Sequence, residues 1–274
     1  MFQERQEDGL KPKLKAISGY KSDDPLQEPV LTISGLRKVF AGKGTFHTVL
    51  NDVTLRVKDG ELACIIGRSG CGKSTLLKIL AGFLPPSSGK VLLNGKPISA
   101  PGPDRCMVFQ EDTLFPWLTV SENIGFGLKR TVKAKREREA EVDRFISLVG
   151  LDEFKNYLPH EISGGMKQRV ALARVLILKP QVLLMDEPFA SLDAQTREEM
   201  QNLLLSLWKK MSYTIVFVTH DVDEAVILAD RILLMGKDPG IIRDSISVNL
   251  PRPRQRDTGD FIFFSRKLHE RLRK

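Results

Sequence analysis

Short apolar runs bounded by turn residues recur along the 274 residues of the chain. Residues 30–34 (VLTIS) and 52–57 (DVTLRV) alternate apolar with polar positions, the pattern of strands with one face buried. Residues 62–66 (LACII), 106–109 (CMVF), 182–185 (VLLM) and 214–218 (TIVFV) are continuously apolar, as central strands of a parallel sheet are. Helical patterns lie between them. Val142, Phe145, Ile146 and Val149 recur at spacings of three and four, as do Met200, Leu203, Leu204, Leu207 and Trp208 behind a candidate N-cap at Asp193. Strands alternating with helices predict an α/β core. Residues 111–165 contain no convincing buried strand and predict a helical insertion. Residues 1–29 mix charge, proline and glycine without a period, which predicts a mobile tail or a short docking arm.

Composition narrows the class. The 42 Lys and Arg against 34 Asp and Glu give a net charge of +8, and 42% hydrophobic residues suit an ordinary folded chain. No apolar run approaches the roughly 18 residues of a membrane-spanning helix. The opening MFQERQEDGLK has acids where a signal peptide has a basic head, so a cytosolic chain is expected, free to sit peripherally on a membrane protein. Cys64, Cys71 and Cys106 show neither CxxC nor metal-ligand spacing and read as reduced thiols. The positive charge concentrates at 129–138 (KRTVKAKRER) and in the segment 250–274. A nucleic-acid binder would spread bases over a groove and interleave aromatics. One block opens a helix and the other forms a tail, so both read as solvated faces, with proximity to anionic lipid as a second reading. No nucleic-acid partner is expected.

The chemistry begins after LACII. There Gly67, Arg68, Ser69, Gly70, Cys71, Gly72, Lys73, Ser74 and Thr75 spell GxxxxGK[ST], followed by the helix-forming LLKILAG. Glycines let successive backbone N–H groups turn inward around an anion, and the helix N-terminus adds partial positive charge. Lys73 is placed to reach the β and γ phosphates and Ser74 to ligate Mg²⁺. The apolar strand at 182–185 ends in Asp186 and Glu187. Asp186 is the candidate for holding the metal and Glu187 for drawing a proton from the attacking water. Hydrolysis of a nucleoside triphosphate is the reading. A GTPase would call for an NKxD-type guanine reader, which does not occur; small-molecule kinases share the loop but do not account for the next motif.

The run Ile162, Ser163, Gly164, Gly165, Met166, Lys167, Gln168, Arg169 resembles the LSGGQ signature of ATP-binding cassette (ABC) ATPases, and the resemblance covers about residues 30–250. It implies a P-loop NTPase fold of ABC type: a RecA-like core with an antiparallel β subdomain and an inserted α-helical subdomain. Gln110 in MVFQED matches the family's Q-loop, a catalytic and Mg²⁺-linked position. Ser191, Leu192 and Asp193 match its D-loop, and His220 in FVTHD its switch histidine. Phe40 falls where the family stacks an aromatic on adenine, with Phe46 as a rival. Ser163, Gly164 and Gly165 would close over ATP held by a second subunit, so that two chains sandwich two nucleotides. Met166 replaces the consensus Gln, and Phe40 the commoner Tyr.

The wording GPDRCMVFQEDTLFPWLTVSENI and the segment VNLPRPR at 248–254 are similar to the ATPases of nitrate, sulfonate and taurine importers. That implies an ATP- and Mg²⁺-dependent energy-coupling subunit at the cytoplasmic membrane face, with permease subunits as partners and, indirectly, a solute-binding protein. Leu114, Phe115, Trp117 and Leu118 lie where the family receives a permease's coupling helix. Beyond residue 250 only a terminal helix around 258–273 is expected. An ABC ATPase of an exporter or envelope system, or a soluble one acting on nucleic acid or ribosomes, is the alternative.

Overall fold

The computed structural model describes residues 29–273 except 43, 111–112 and 132–133; residues 1–28, most of the predicted tail, lie outside the described residues. The chain opens with an antiparallel pair, β1 (Leu31–Ala41) and β2 (Phe46–Val57), whose alternation buries Leu31, Ile33, Val53 and Leu55. Next comes β3 (Leu62–Gly67), buried at every position, and the glycine-rich loop that starts α1 (Lys73–Leu80). β4 (Ser88–Leu93) and β5 (Lys96–Pro97) return to the first sheet, in the order β2-β1-β4-β5. After β6 (Arg105–Val108) the insertion follows as α2 (Val120–Gly125), α3 (Leu128–Thr131), α4 (Lys135–Leu148) and α5 (Gly164–Leu176). The core is completed by β7 (Val182–Asp186), α6 (Ala194–Met211), β8 (Thr214–Thr219), α7 (Val222–Leu228) and β9 (Arg231–Met235). β10 (Ile242–Ser247) and α8 (Gly259–Arg273) end it.

The second sheet has the order β10-β9-β3-β8-β7-β6, parallel throughout except for the β10 edge. Its strands read as continuous apolar runs because both faces are covered. Leu62, Cys64, Met185 and Phe217 face the core shared with helices of the insertion and with α6, α7 and α8. Ala63, Ile65, Leu184 and Val218 face α1 and the antiparallel sheet. Every run singled out as a strand is one, although β2 extends back to Phe46 and β6 lies one residue early. β4, β5, β9 and β10 were not singled out from the sequence. Among the described residues of 111–165 there is no strand. No helix of the described residues is long and apolar enough to cross a membrane.

The basic segment beyond residue 250 departs from the solvated tail expected. Arg254 donates to the carbonyls of Leu250, Val226, Ala229 and Val248 at 2.6–3.1 Å, closing the C-terminal end of α7. Arg252 pairs with Asp230 at 2.6 Å and lies 4.6 Å from the Trp208 ring. Helix C-termini leave carbonyls without partners, and a guanidinium offers five donors in a planar fork. That match, rather than solvation, decides where these arginines go. Burial pushes Arg254 down to about 10, so it still carries its charge at neutral pH.

Within the insertion a fully buried Asn123 fixes the loop before α2. Its amide donates to the carbonyls of Phe115, Leu118 and Thr119 at 2.9–3.1 Å, and its Oδ1 accepts the Phe115 N–H at 2.9 Å. A capping box at Thr119 and Glu122 starts the helix itself. Asn123→Ala strands these buried groups and is expected to lower stability by about 1–3 kcal/mol, measured by denaturant unfolding.

Candidate active site

Register in the parallel sheet brings four loops together at one edge. Ile66 pairs with Thr219, Asp186 with Val218, and Met185 with Val108. The residues that follow each strand therefore emerge side by side: the 67–75 loop, Glu187, His220 and Gln110. Ligands of open α/β sheets bind outside the carboxyl ends of the strands for this reason.

The loop closes tightly. Gly67 lies so near β9 that a Cβ there would stand 2.7 Å from the Met235 carbonyl oxygen and from Cys71 Sγ. Gly72 is left-handed at φ 100 and hands its carbonyl to the Leu76 N–H at 2.9 Å, starting α1. Arg68, Ser69 and Gly70 are exposed at the tip, Cys71 is buried beneath them, and Thr75 is half-buried in the first turn of α1. Burial pushes the Cys71 thiol up, in keeping with a reduced thiol. A turn the sequence reading passed over, residues 236–240, packs against the loop, with Gly240 so close that a Cβ there would run into the Cys71 carbonyl oxygen. Gly240 is pinned to β2 by donating to the Val49 carbonyl at 2.9 Å and accepting the Asn51 N–H at 3.0 Å. Its signal was the turn-rich GKDPG.

Five of the candidate residues gather at this edge, three linked in a chain and two in an adjacent pair. The buried Lys73 ammonium donates to the Gly67 carbonyl at 2.9 Å and stands 3.7 Å from Glu187 Oε1. Ser74 Oγ donates to Asp186 Oδ1 at 3.1 Å. Glu187 Oε2 lies 2.6 Å from His220 Nδ1. Glu187 holds this position with φ 46, in the left-handed region, secured by its N–H on the Val218 carbonyl at 2.9 Å. Non-glycine residues in that region carry strain that the surroundings must offset, and such residues gather at functional sites. Burial pushes the Asp186 carboxyl up, and the Glu187 charge adds to it against the Ser74 hydrogen bond.

The other candidates stand apart from the cluster. Gln110 is exposed, two residues beyond the end of β6 at the same sheet edge. Phe40 lies near the end of β1, part-exposed, with Lys38 Nζ 5.1 Å from its ring centre; Phe46 is 82% exposed. Ser163 caps α5, its Oγ accepting the Met166 N–H at 3.3 Å, with Gly164 and Gly165 in the first turn. Among the described residues no hydrogen bond or ion pair joins any of these six to the Lys73 cluster. Asp193 caps α6 as expected, accepting from Thr196 at 2.9 Å. Arg197, which the sequence reading missed, ties two loops: it donates to the Phe189 and Leu192 carbonyls at 3.3 and 2.7 Å and stands 4.0 Å from Asp221. A charged residue on a helix face carries no spacing signal that would have marked it.

Comparison with known proteins agrees with this geometry. A family model described as ABC transporter matches residues 50–190. An uncharacterised ABC transporter ATP-binding protein of Methanocaldococcus jannaschii is 46% identical over 238 residues, 87% of this chain and 89% of its own. The nitrate import ATP-binding protein NrtD of Synechocystis is 45% identical, covering 81% of this chain and 83% of its own. The bicarbonate transport ATP-binding protein CmpD of Synechococcus elongatus is 44% identical over 85% of each chain. Among solved structures, a dimeric ATP-binding cassette with bound ADP and Pi, in a post-hydrolysis state, gives a TM-score of 0.71 at 30% identity, over 81% of this chain and all of that one. CbiO1 of Clostridium perfringens, part of an ABC transporter complex, gives 0.74 at 29% identity over 90% and 96%.

Gly67→Ala places a methyl group against backbone that cannot yield without moving β9. Affinity for nucleoside triphosphate is expected to fall about tenfold or more, the equivalent of about 1.4 kcal/mol, read by fluorescence titration.

Proposed function

Since the chain belongs to the ABC transporter family, whose ATP-binding subunits are ATPases, we propose that it drives an importer of a small oxyanion, as an ATP-sandwich dimer seated on a membrane permease. The observation that carries this reading is the unbroken chain Lys73–Glu187–His220 beside Ser74–Asp186 at the mouth of the glycine-rich loop.

The loop's backbone N–H groups and the α1 N-terminus receive the phosphates. Lys73 moves from the Gly67 carbonyl to the β and γ oxygens. Ser74 and Asp186 offer two oxygen donors to a divalent cation, with Gln110 at the same edge. This oxygen set suits Mg²⁺, which takes one or two protein ligands and leaves its other positions to phosphate and water. When bound, Mg²⁺ neutralises charge on the β and γ phosphate oxygens. Glu187 draws the proton from the water that attacks the γ phosphorus; the bond to the bridging oxygen breaks, leaving ADP and phosphate. His220 orients this base. A neutral imidazole has a single N–H, and against a carboxylate at 2.6 Å it is used on Glu187. For His220 to donate to the γ phosphate as well, the ring would have to be protonated or the pair would have to open when ATP enters.

The separation of Ser163, Gly164 and Gly165 from their own chain's cluster supports a sandwich in which they close over the partner's ATP. Between the Q-loop and α5, Phe115 lies 5.7 Å from Trp117 and 4.4 Å from Phe126, ring centre to ring centre. Trp117 is 72% exposed, and a cleft of about 360 Å³ opens beside Phe115, Phe126, Met107 and Arg174. A monomer gains nothing by holding such rings in water, so a hydrophobic partner helix is the natural occupant. The nitrate and bicarbonate relatives support a small oxyanion as the solute; sulfonate or taurine belongs to the same proposal. The solute itself does not touch this chain.

Glu187→Gln keeps the hydrogen-bonding shape but not the base. Hydrolysis is expected to fall about 10²–10⁴-fold while ATP is still bound and a dimer accumulates by light scattering. A Glu187→Gln chain pulled down with Mg-ATP from gently solubilised membranes is expected to bring a permease and a solute-binding protein, whose ligand names the solute. Ribosomes or DNA in their place would overturn the transport reading. Trp117→Asp is expected to abolish that co-purification.

A further inference from the structure

Behind the hydrolytic cluster runs a second, buried chain of polar groups that the reaction as described does not use. Arg256, in the segment before α8, donates to Gln201 Oε1 on α6 at 3.2 Å. Gln201 donates in turn to Glu224 Oε1 on α7 at 3.1 Å. Glu224 is tied to the segment around His220 through Asp221, which accepts the Glu224 N–H at 3.1 Å. Burial pushes the Glu224 carboxyl up, and the Thr219 hydroxyl favours its charged form against that; Thr219 is the residue before His220. Gln201, Glu224 and Thr219 are all at least 96% buried. The Thr219 oxygen accepts the Asp221 N–H at 3.0 Å, and Asp221 caps α7 through the Asp223 and Glu224 N–H groups at 2.8 and 3.1 Å. Both neighbours of His220 are thereby held. At the far end of α7, Arg254 closes the helix from the same C-terminal segment.

A carboxylate buried among apolar helices is costly unless it is fully hydrogen-bonded, and a hydrophobic pair would fill the same space more stably. The chain is directional: it starts at an exposed arginine, beside an open cleft of about 450 Å³ with Asp223, Arg266, His269 and Arg273, and ends at the His220 backbone. We propose that Arg256, Gln201 and Glu224 are positioning residues for hydrolysis, through which the C-terminal segment holds His220 in place against Glu187. This rests on the roles given to His220 and Glu187 above. Moving or masking the C-terminal segment then changes the hydrolysis rate without touching the nucleotide.

The test uses the full-length chain, with steady-state Mg-ATPase and nucleotide affinity measured side by side. Gln201→Leu keeps the volume and removes both bonds. The turnover number is expected to fall about tenfold, inside the roughly 10²-fold that a small misplacement can cause, with KM and nucleotide affinity within about twofold of wild type. The exposed Arg256→Ala is expected to show the same split, at about threefold. The exchange Gln201→Glu with Glu224→Gln preserves every donor and acceptor. The carboxylate, now on α6, accepts from Arg256 and from the amide, now on α7, whose oxygen remains as an acceptor in the same place. The exchange is expected to restore most of the turnover. Unchanged turnover in Gln201→Leu and Arg256→Ala, with a lowered melting temperature alone, overturns the proposal, as does an exchange no faster than Gln201→Leu. His220→Ala separates the two readings. Slow hydrolysis there beside normal Gln201→Leu removes the positioning chain only; normal hydrolysis in His220→Ala removes both.

Discussion

One carboxylate is asked to meet two partners on different strands. Glu187 follows β7, and its two oxygens stand 3.7 Å from Lys73, which follows β3, and 2.6 Å from His220, which follows β8. β8 lies between the other two strands, so the meeting requires all three to end level. Register supplies that level end, with Ile66 opposite Thr219 and Val218 opposite Asp186. A slip of one residue in any of these strands would exchange the side chains packed in one core for those packed in the other, which two closely packed and differently filled cores oppose. The geometry of the hydrolytic centre is thus enforced by hydrophobic burial far from it. The φ of 46 at Glu187 is the local consequence: the chain turns sharply at the strand end to keep the side chain in reach.

The parts that were legible from the amino-acid sequence are those whose chemistry and spacing coincide. Gly67 to Thr75 carry a loop, a cation and a hydroxyl in an order that only a strand–loop–helix can use, and Asp186 with Glu187 end an unmistakable apolar run. The Asp193 cap was legible for the same reason. Charge counting misled where backbone decides. Arg252 and Arg254 look like a solvated tail until the open carbonyls at the end of α7 are on view, and those belong to residues more than twenty positions away. The aromatic stretch was ambiguous in principle: Leu114 packs on the core while Trp117, three residues on, is 72% exposed, and composition cannot divide them. Short edge strands such as β5 and β10 carry too little periodicity to stand out.

The buried polar groups divide by what they hold. Asn123 holds the aromatic loop, with four hydrogen bonds from one side chain. Gln201 and Glu224 hold the start of α7. Arg197 holds the loop between β7 and α6 against Asp221. In each case an irregular segment beside the hydrolytic edge is fixed to a helix by a group that apolar packing could have replaced. Packing alone does not choose among the conformations of a loop, because apolar contacts are non-directional. Hydrogen bonds do choose, and a buried one left unmade is costly.

Two surfaces reach the hydrolytic edge, one beside β6 at the end of the sheet and one through α6 and α7. Beside β6 stand the exposed rings of Trp117 and Phe126 with the half-buried Phe115 between them. Through α6 and α7 the C-terminal segment reaches His220. Under the proposed roles, a partner helix seated on the first would act beside Gln110, and a movement of the second would act on His220 and so on Glu187, to which it is bonded at 2.6 Å. An enzyme serving only to hydrolyse ATP has no need of partner surfaces beside both residues, whereas one whose hydrolysis must wait on partners does.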